Sequence, residues 1–291
     1  MGRNGISQGS GTMKTRMAKS QPAGRSFASP RRSKLAHLLV FALLATGSAA
    51  LAEQRLVSVG DRRLSIDCDG DRSRPETVVL IAGLGRTAQD WAKVQPAVAG
   101  FVRVCSYDRA GSGESDKVDQ PQSIDETVED LQRLLRAAGE KGPYILVGHS
   151  IAGIYCRRYA TRFPRDVAGF LFLDSSHEEQ MWRLHEVDPK GPTPSGGRDD
   201  VFFVQGRRLD WHTNAPLIVI AQGKPGPPMP QLTAEQNAGF GRVWRELQQD
   251  LAMRSPKGQF RVADQSGHFI QIDQPELVVQ AIRDLVQVAN R

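Results

Sequence analysis

The chain has 291 residues, of which 40% are apolar and 24% charged, and only three are cysteines. This composition is typical of a globular protein and excludes a mainly disordered, collagenous or coiled-coil chain, as well as a fold held together chiefly by disulfides. The formal net charge is +6, but residues 1–52 hold 8 of the 38 Lys and Arg and no acidic residue. Residues 53–291 therefore carry 30 basic against 32 acidic side chains. Because this part has no excess of positive charge, we expect no nucleic-acid partner.

Residues 1–52 are predicted to be a secretory signal peptide with a basic leader. The nearly apolar run 35–45 follows a basic segment and is too short to span a bilayer, which needs about 20 residues. Small residues then lead to Ala50-Leu51-Ala52, the order that precedes a signal cleavage site. We expect cleavage after Ala52, a secreted or periplasmic protein, and no stable membrane span after cleavage. An uncleaved anchor helix is the alternative, and Arg31-Arg32 leaves the twin-arginine route open.

From Glu53 onward, the sequence alternates predicted strands with predicted helices. Two short alternating runs flank Gly60-Asp61 and predict a hairpin, residues 54–59 and 62–67. Solid apolar runs follow, as expected for parallel strands that are buried on both faces. These runs are 78–82, 102–107, 144–147, 170–173, 217–221 and 260–263.

Helix signals separate these strands. Ser123-x-x-Glu126 and Thr233-x-x-Gln236 are capping boxes, and the last helix begins in the segment 273–276. The alternation predicts one α/β domain over 53–291, with a doubly wound, mostly parallel sheet of eight strands. The longest connection, about 175–214, is rich in proline, glycine and aromatic residues. We expect it to form a small lid or cap, and ordinary packing under a long loop is the alternative.

A candidate nucleophile lies between a predicted strand and a predicted helix. Ser150 stands in Gly-His-Ser-Ile-Ala-Gly, in the tight turn between strand 144–147 and the helical stretch 154–163. Such a turn pushes the serine hydroxyl outward, and the helix N-terminus favours negative charge beside it. We therefore expect Ser150 to be a nucleophile, with a plain structural turn as the alternative. The pattern asks for glycine two residues after the serine, where this chain has Ala152.

A serine hydroxyl needs a base to take its proton. His268 follows the last predicted strand and precedes the last helix, so it comes to the same carboxyl edge of the sheet as Ser150. His268 is therefore the predicted base, and His149 is interpreted as structural because adjacent residues rarely point together. The remaining histidines in or beside the insert are predicted to be solvated: His177, His185 and His212.

The base in turn needs a carboxylate that orients it. The loop after strand 217–221 contains no acidic residue, whereas the loop after the preceding strand opens with Asp174. We predict that Asp174 is this acid, with Asp264 and Glu178 as reserves. Alternatively, Asp174 only precedes a helix whose capping box would be Ser175-x-x-Glu178.

Acyl transfer also needs backbone donors for an oxyanion. The N–H of Ile151, directly after the nucleophile, is one predicted donor. The N–H of Leu84, in the Gly-Leu-Gly loop that follows strand 78–82, is the other.

Together these motifs resemble the α/β-hydrolase superfamily, from about Arg55 to the C-terminus. The resemblance is carried by the turn around Ser150, the loop 82–85, the Asp-Arg-Ala-Gly-Ser-Gly-Glu-Ser segment 108–115, and Ser266-Gly267-His268. It implies that segment 108–115 supports the floor of the active site. The chain departs from the family at Ala82, where a histidine is usual, and in the missing acid of the commonest loop.

We expect an exported serine hydrolase that needs no cofactor or metal and cleaves a small ester or related acyl substrate through an acyl-enzyme on Ser150. A non-catalytic ligand-binding protein of the same fold is one alternative. A dinucleotide-binding oxidoreductase is another, because Gly83-x-Gly85-x-x-Ala88 with Asp108 fits that fingerprint, although Pro96 interrupts the following helix.

The resemblance also makes a disulfide feasible. In the family's strand order, the strands that carry Cys68 and Cys105 are neighbours, so a bridge forms if the two residues lie opposite each other. Two buried thiols packed side by side are the alternative. Cys156, on the helix behind Ser150, is expected to be a buried free thiol.

Overall fold

Eight strands form one sheet in the computed structural model, which describes residues 54–120, 122–191 and 210–289. The predicted signal peptide and part of the predicted lid, 192–209, lie outside the described residues. The strands are β1 (Arg55–Ser58), β2 (Arg63–Asp69), β3 (Thr77–Ile81), β4 (Arg103–Tyr107), β5 (Tyr144–His149), β6 (Val167–Leu173), β7 (Leu217–Gln222) and β8 (Gly258–Ala263).

The strand order is β1-β2-β4-β3-β5-β6-β7-β8. The strand β2 pairs antiparallel with β1 and β4, and every other neighbouring pair is parallel. The predicted eight-stranded, mostly parallel α/β sheet is therefore confirmed. Every strand predicted from an apolar or alternating run is present, with its ends shifted by a few residues at most.

Helices cover both faces of the sheet. They are α1 (Gln95–Ala99), α2 (Ile124–Ala137), α3 (Ala152–Arg162), α4 (Gln180–Val187), α5 (Ala234–Met253), α6 (Ile270–Asp273) and α7 (Pro275–Ala289). Alternate residues of β3 belong to two separate hydrophobic cores. On one face of the sheet, Val79 and Ile81 pack in a core with α2 and α3. On the other face, Val78 and Leu80 pack in a core with α1 and α7. This burial on both faces explains the solid apolar runs. In the described part of the chain, no helix is long and apolar enough to cross a membrane.

The three predicted helix starts are confirmed, whereas the alternative capping box at Ser175 and the interruption expected at Pro96 are not found. The capping boxes at Ser123 and Thr233 are both formed. The box proposed at Ser175 is absent, because the Ser175 hydroxyl donates to the Gly148 carbonyl (3.0 Å) and α4 begins only at Gln180. Pro96 does not interrupt a helix; it lies in the first turn of α1, after a separate 3-10 helix, where its missing N–H removes no helix bond.

One disulfide joins the antiparallel part of the sheet. Cys68 of β2 and Cys105 of β4 lie directly opposite each other, with Cα atoms 4.1 Å apart, and form the bridge that the resemblance made feasible. Cys156 is a buried free thiol, as predicted. Burial raises the pKa of this thiol to about 12, which keeps it protonated and unreactive at neutral pH.

Candidate active site

Ser150 lies in a strained turn between β5 and α3. Its φ is +56°, a left-handed conformation that a residue with a side chain rarely adopts. Small neighbours allow the turn: a Cβ atom at Gly148 would lie 2.9 Å from Cys156 Sγ, and one at Gly153 would lie 2.7 Å from Ser175 Oγ. The tight approach to Ser175 explains why glycine is needed at 153 while Ala152 is tolerated.

Asp174 and His268 are brought together although 94 residues separate them in sequence. Asp174 Oδ2 lies 2.7 Å from His268 Nδ1. A carboxylate oxygen accepts, so Nδ1 carries the proton and Nε2 is left with a lone pair. The Asp174 side chain is completely buried and its φ is +41°. This arrangement gives an imidazole that can accept a proton at Nε2 and an anion that can stabilise the resulting imidazolium.

The second carboxylate oxygen of Asp174 has two further donors. Asp174 Oδ1 accepts from the backbone N–H of Gln222 (3.0 Å) and from Trp244 Nε1 (2.8 Å). Sequence reasoning missed both residues. Trp244 lies at helical spacing among apolar residues, and nothing local in the sequence marks its indole as a partner of an acid 70 residues away.

The two reserve acids have other environments. Glu178 forms ion pairs with the buried Arg157 (3.1 Å) and with Arg254 (3.1 Å). Asp264 is exposed at the end of β8. Of the three acids considered, Asp174 is the one that contacts His268.

His149 supports the backbone of His268. It is buried, its Nε2 donates to the His268 carbonyl oxygen (2.9 Å), and the two rings lie 4.6 Å apart. Burial, followed by the neighbouring His268, lowers the pKa of His149 to about 4. His149 is therefore neutral at pH 7, which suits the structural role interpreted from the sequence.

The solvated roles predicted for the other histidines hold only in part. His212 is exposed. The prediction is wrong for His177, which is 2% exposed; its Nε2 donates to Asp250 Oδ2 (2.9 Å) and its Nδ1 accepts from the Glu179 N–H. His185 is half-buried on α4.

The loop that carries Leu84 is held against the Ser150 turn. The Arg109 guanidinium donates to the carbonyl oxygens of Ala82 and Gly83. A Cβ atom at Gly83 would lie 3.3 Å from Ser150 Cβ and 2.9 Å from His149 Nδ1, so only glycine fits there. This packing puts Gly83, which precedes Leu84 in the chain, directly beside Ser150. The oxyanion roles of the Leu84 and Ile151 N–H groups stay predictions.

Asp108 organises the floor below this loop. Its carboxylate accepts from the N–H of Ala88 (2.8 Å), the N–H of Glu114 (3.0 Å) and Gln54 Nε2 (3.0 Å). A Cβ atom at Gly113 would overlap this carboxylate. Asp108 is buried and its oxygens are occupied by protein donors, so it cannot serve as the ribose-binding acid of a dinucleotide site. The supporting role implied for segment 108–115 matches these contacts.

One group of metal-binding residue types occurs within the described ranges, namely Cys68, Cys105 and Glu140. Both sulfurs are in the disulfide, and Glu140 forms a buried ion pair with Arg103 (2.7 Å). These residues therefore do not fit a metal ion, and the two cysteines lie in the antiparallel part of the sheet.

The sequence is similar to a known protein family and to several individual proteins. The alpha/beta hydrolase family matches residues 78–281. The uncharacterized protein YqjL of Bacillus subtilis is 26% identical over 221 residues, which cover 72% of this chain and 83% of YqjL. The probable transporter efuK of Hormonema carpetanum is 33% identical over 154 residues, which cover 47% of this chain but only 22% of efuK.

A solved structure shows the same fold at lower identity. The thermophilic esterase from Thermogutta terrifontis superposes with a TM-score of 0.59 at 18% identity, over 82% of this chain and all of that one. The sheet order, the strained turn at Ser150 and the family match over residues 78–281 agree with one another. The chain belongs to the alpha/beta hydrolase family.

Proposed function

We propose that this protein is an exported serine hydrolase that cleaves a small ester or related acyl substrate through an acyl-enzyme on Ser150. The observation that carries the proposal is the 2.7 Å hydrogen bond between Asp174 Oδ2 and His268 Nδ1, formed at the sheet edge where the strained Ser150 turn also lies. The bond fixes the tautomer in which His268 Nε2 can take a proton.

The proposed reaction has two halves. His268 Nε2 removes the proton of the Ser150 hydroxyl, and Oγ attacks the ester carbonyl carbon. The oxyanion accepts hydrogen bonds from the N–H groups of Leu84 and Ile151, and His268 then gives its proton to the departing alcohol. Water, activated by the same imidazole, hydrolyses the acyl-enzyme and restores Ser150. Asp174 stays ionised throughout and stabilises the imidazolium.

Two exposed apolar side chains support an uncharged organic substrate. Leu84, on the proposed oxyanion loop, is 65% exposed, and Phe269, next to His268, is 38% exposed. Large apolar side chains in such positions favour contact with an apolar part of a ligand. We therefore infer that a neutral acyl or alcohol group is preferred over a charged one.

The disulfide supports the proposed export. Disulfides persist in secreted and periplasmic proteins and are rare where thiols are kept reduced. The Cys68–Cys105 bridge is therefore consistent with the signal peptide predicted for residues 1–52, with cleavage after Ala52.

The experiment that tests the proposal is a panel of activated esters of increasing acyl length, hydrolysed by the wild type and by Ser150→Ala. We expect turnover of short apolar esters that is lost in Ser150→Ala. Ser176→Ala is the matched control, because Ser176 is buried beside the Ser150 turn, where its N–H donates to the Ser150 carbonyl (2.9 Å), and its side chain has no part in the proposed machinery. Equal rates in the wild type and Ser150→Ala would reject the hydrolase proposal and favour a non-catalytic binding protein.

A further inference from the structure

We propose that Trp244 is a positioning residue for the acid of the triad: its indole N–H holds the Asp174 carboxylate in the orientation that faces His268. The inference rests on the proposed function, because it assigns a role within the same site. Its starting point is the 2.8 Å hydrogen bond from Trp244 Nε1 to Asp174 Oδ1.

The Asp174 carboxylate could turn away from His268 if nothing held it. The group rotates about its Cβ–Cγ bond, and this torsion is broad in aspartate. Asp174 Oδ2 bonds to His268, and Oδ1 is held by Trp244 Nε1 and by the Gln222 N–H. With Oδ1 fixed by two donors, rotation would break both bonds, so Oδ2 stays directed at the imidazole.

Burial makes the indole hard to replace. Asp174 has no exposed surface, so water cannot readily substitute for a lost donor. Hydrogen bonds to an ionised group are roughly twice as strong as neutral ones, and a low local dielectric strengthens them further. The Trp244 N–H therefore supplies both orientation and charge stabilisation to a carboxylate that is itself buried from solvent.

The helix that carries Trp244 is itself anchored to the acid's loop. One turn after Trp244, Gln248 forms two buried hydrogen bonds with Ser175: the Ser175 N–H donates to Gln248 Oε1 (3.0 Å) and Gln248 Nε2 donates to the Ser175 carbonyl (2.7 Å). Successive turns of α5 thus hold the consecutive residues 174 and 175. The ring of Trp244 also meets the His268 ring edge-on, with centroids 6.3 Å apart.

The backbone of Asp174 is strained, so its conformation depends on contacts with the surrounding residues. A positive φ of 41° at a non-glycine residue persists only where the surroundings over-determine it. The Asp174 N–H donates to the Ile220 carbonyl (2.8 Å), which fixes the backbone but leaves the side chain free to turn. The side-chain orientation is set by Gln222 and Trp244.

The test replaces Trp244 by 3-benzothienylalanine, which keeps the bicyclic shape and puts sulfur in place of the N–H. We expect kcat for the best ester of the panel to fall about tenfold with KM changed less than about twofold, because a charge-assisted hydrogen bond is lost and substrate contacts are kept. The low-field proton resonance of the His268–Asp174 hydrogen bond should move or broaden. Trp244→Phe should act in the same direction.

The matched control is the same replacement at Trp91, a buried tryptophan whose Nε1 has no hydrogen-bond partner in the described part of the chain. It should leave kcat and the resonance unchanged. If the Trp244 replacement also leaves both unchanged, the proposal is overturned. If the wild type hydrolyses no ester, the proposed function fails, but the resonance still decides the role of Trp244: a shift at 244 and none at 91 supports it, and no shift rejects it.

Discussion

Two members of the proposed triad, Ser150 and Asp174, have positive φ angles at the ends of neighbouring strands, +56° and +41°. Each such conformation costs roughly 1–3 kcal/mol in a non-glycine residue. Backbone bonds hold both in place: the Ser150 N–H donates to the Leu173 carbonyl (3.1 Å), and the Asp174 N–H donates to the Ile220 carbonyl (2.8 Å). At the second of these positions, the Asp174 side chain contacts His268.

The role of the acid can be tested at Asp174 directly. Asp174→Asn should lower turnover by about three to four orders of magnitude, because the imidazole loses the anion that fixes its tautomer. Circular dichroism should show that the fold is kept. Asp264→Asn, at an exposed acid on the adjacent β8 loop, is the control and should keep its activity. Full activity in Asp174→Asn would show that another group orients His268.

The positions of Ser150, Asp174 and His268 are predictable from sequence because each follows a recognisable strand, and the ends of parallel strands share one edge. Gln222 and Trp244 are not predictable in this way. Their contacts with Asp174 cross 48 and 70 residues and depend on how α5 is rotated against the sheet. His177 was misjudged for the same reason, since its partner Asp250 belongs to that distant helix.

At the scale of elements, a buried network of charges ties together α3, the loop after β6, and α5. Arg157 of α3 is 1% exposed and pairs with Glu178, which also pairs with Arg254 just after α5. A lone charge in such a place would be costly, so the ions depend on one another. The network holds the helix behind the Ser150 turn and the loop that follows Asp174 in a fixed relation.

Removing one partner should therefore be costly. Glu178→Gln should lower the free energy of unfolding by about 3–5 kcal/mol, because Arg157 is left buried without its counter-charge. Denaturant unfolding at pH 7 measures the loss. Glu186→Gln, at an exposed glutamate near Arg183 (3.6 Å), is the control and should change stability by less than about 0.5 kcal/mol. Equal effects of the two substitutions would contradict a structural role for the network.

The ion pair between Arg157 and Glu178 also predicts that the stability of the fold depends on pH. Burial raises the pKa of Glu178, but Arg157, His177 and Arg254 together outweigh it, so the pKa lies below its ordinary value. A carboxyl group with a depressed folded-state pKa stabilises the fold above its unfolded pKa of about 4.3 and loses that contribution as the pH falls further. The stability gap between wild type and Glu178→Gln should thus be constant near neutral pH and shrink below pH 4.

Most helices and strands could be predicted from short sequence patterns. The apolar runs and both capping boxes at Ser123 and Thr233 predicted real elements, because burial and capping act over a few residues. The capping box considered as an alternative at Ser175 does not form, because the Ser175 hydroxyl donates to the carbonyl of Gly148, just before the Ser150 turn. The Ser175 hydroxyl, which would have capped the helix in the local motif, is occupied by this tertiary hydrogen bond.

For the whole molecule, the sheet order explains why distant residues meet. Parallel pairing of β5, β6, β7 and β8 puts the carboxyl ends of these four strands at one edge of the sheet. Ser150 and Asp174 follow directly after the ends of β5 and β6. The disulfide lies instead between β2 and β4, in the antiparallel part. Bridges of this kind contribute about 2–4 kcal/mol to stability, so this one stabilises the fold away from the proposed chemistry.

The export proposal predicts the composition of the mature chain. Protein recovered from the exported fraction should have the intact mass of a chain that begins at Glu53. Alkylation of the denatured, unreduced protein should add one label, at Cys156, since the other cysteines are bridged. A chain that begins at Met1, Met13 or Met17, or one that takes three labels, would contradict the proposal.

The most direct test of the proposed function is to trap the acyl-enzyme. The protein is mixed with an activated ester, quenched in acid within one turnover, and analysed by intact mass and peptide mapping. A single acyl group is expected on the peptide that contains Ser150, and none in Ser150→Ala. Turnover of the ester without a Ser150 adduct, or an acyl group on a different residue in the wild type, would contradict the account.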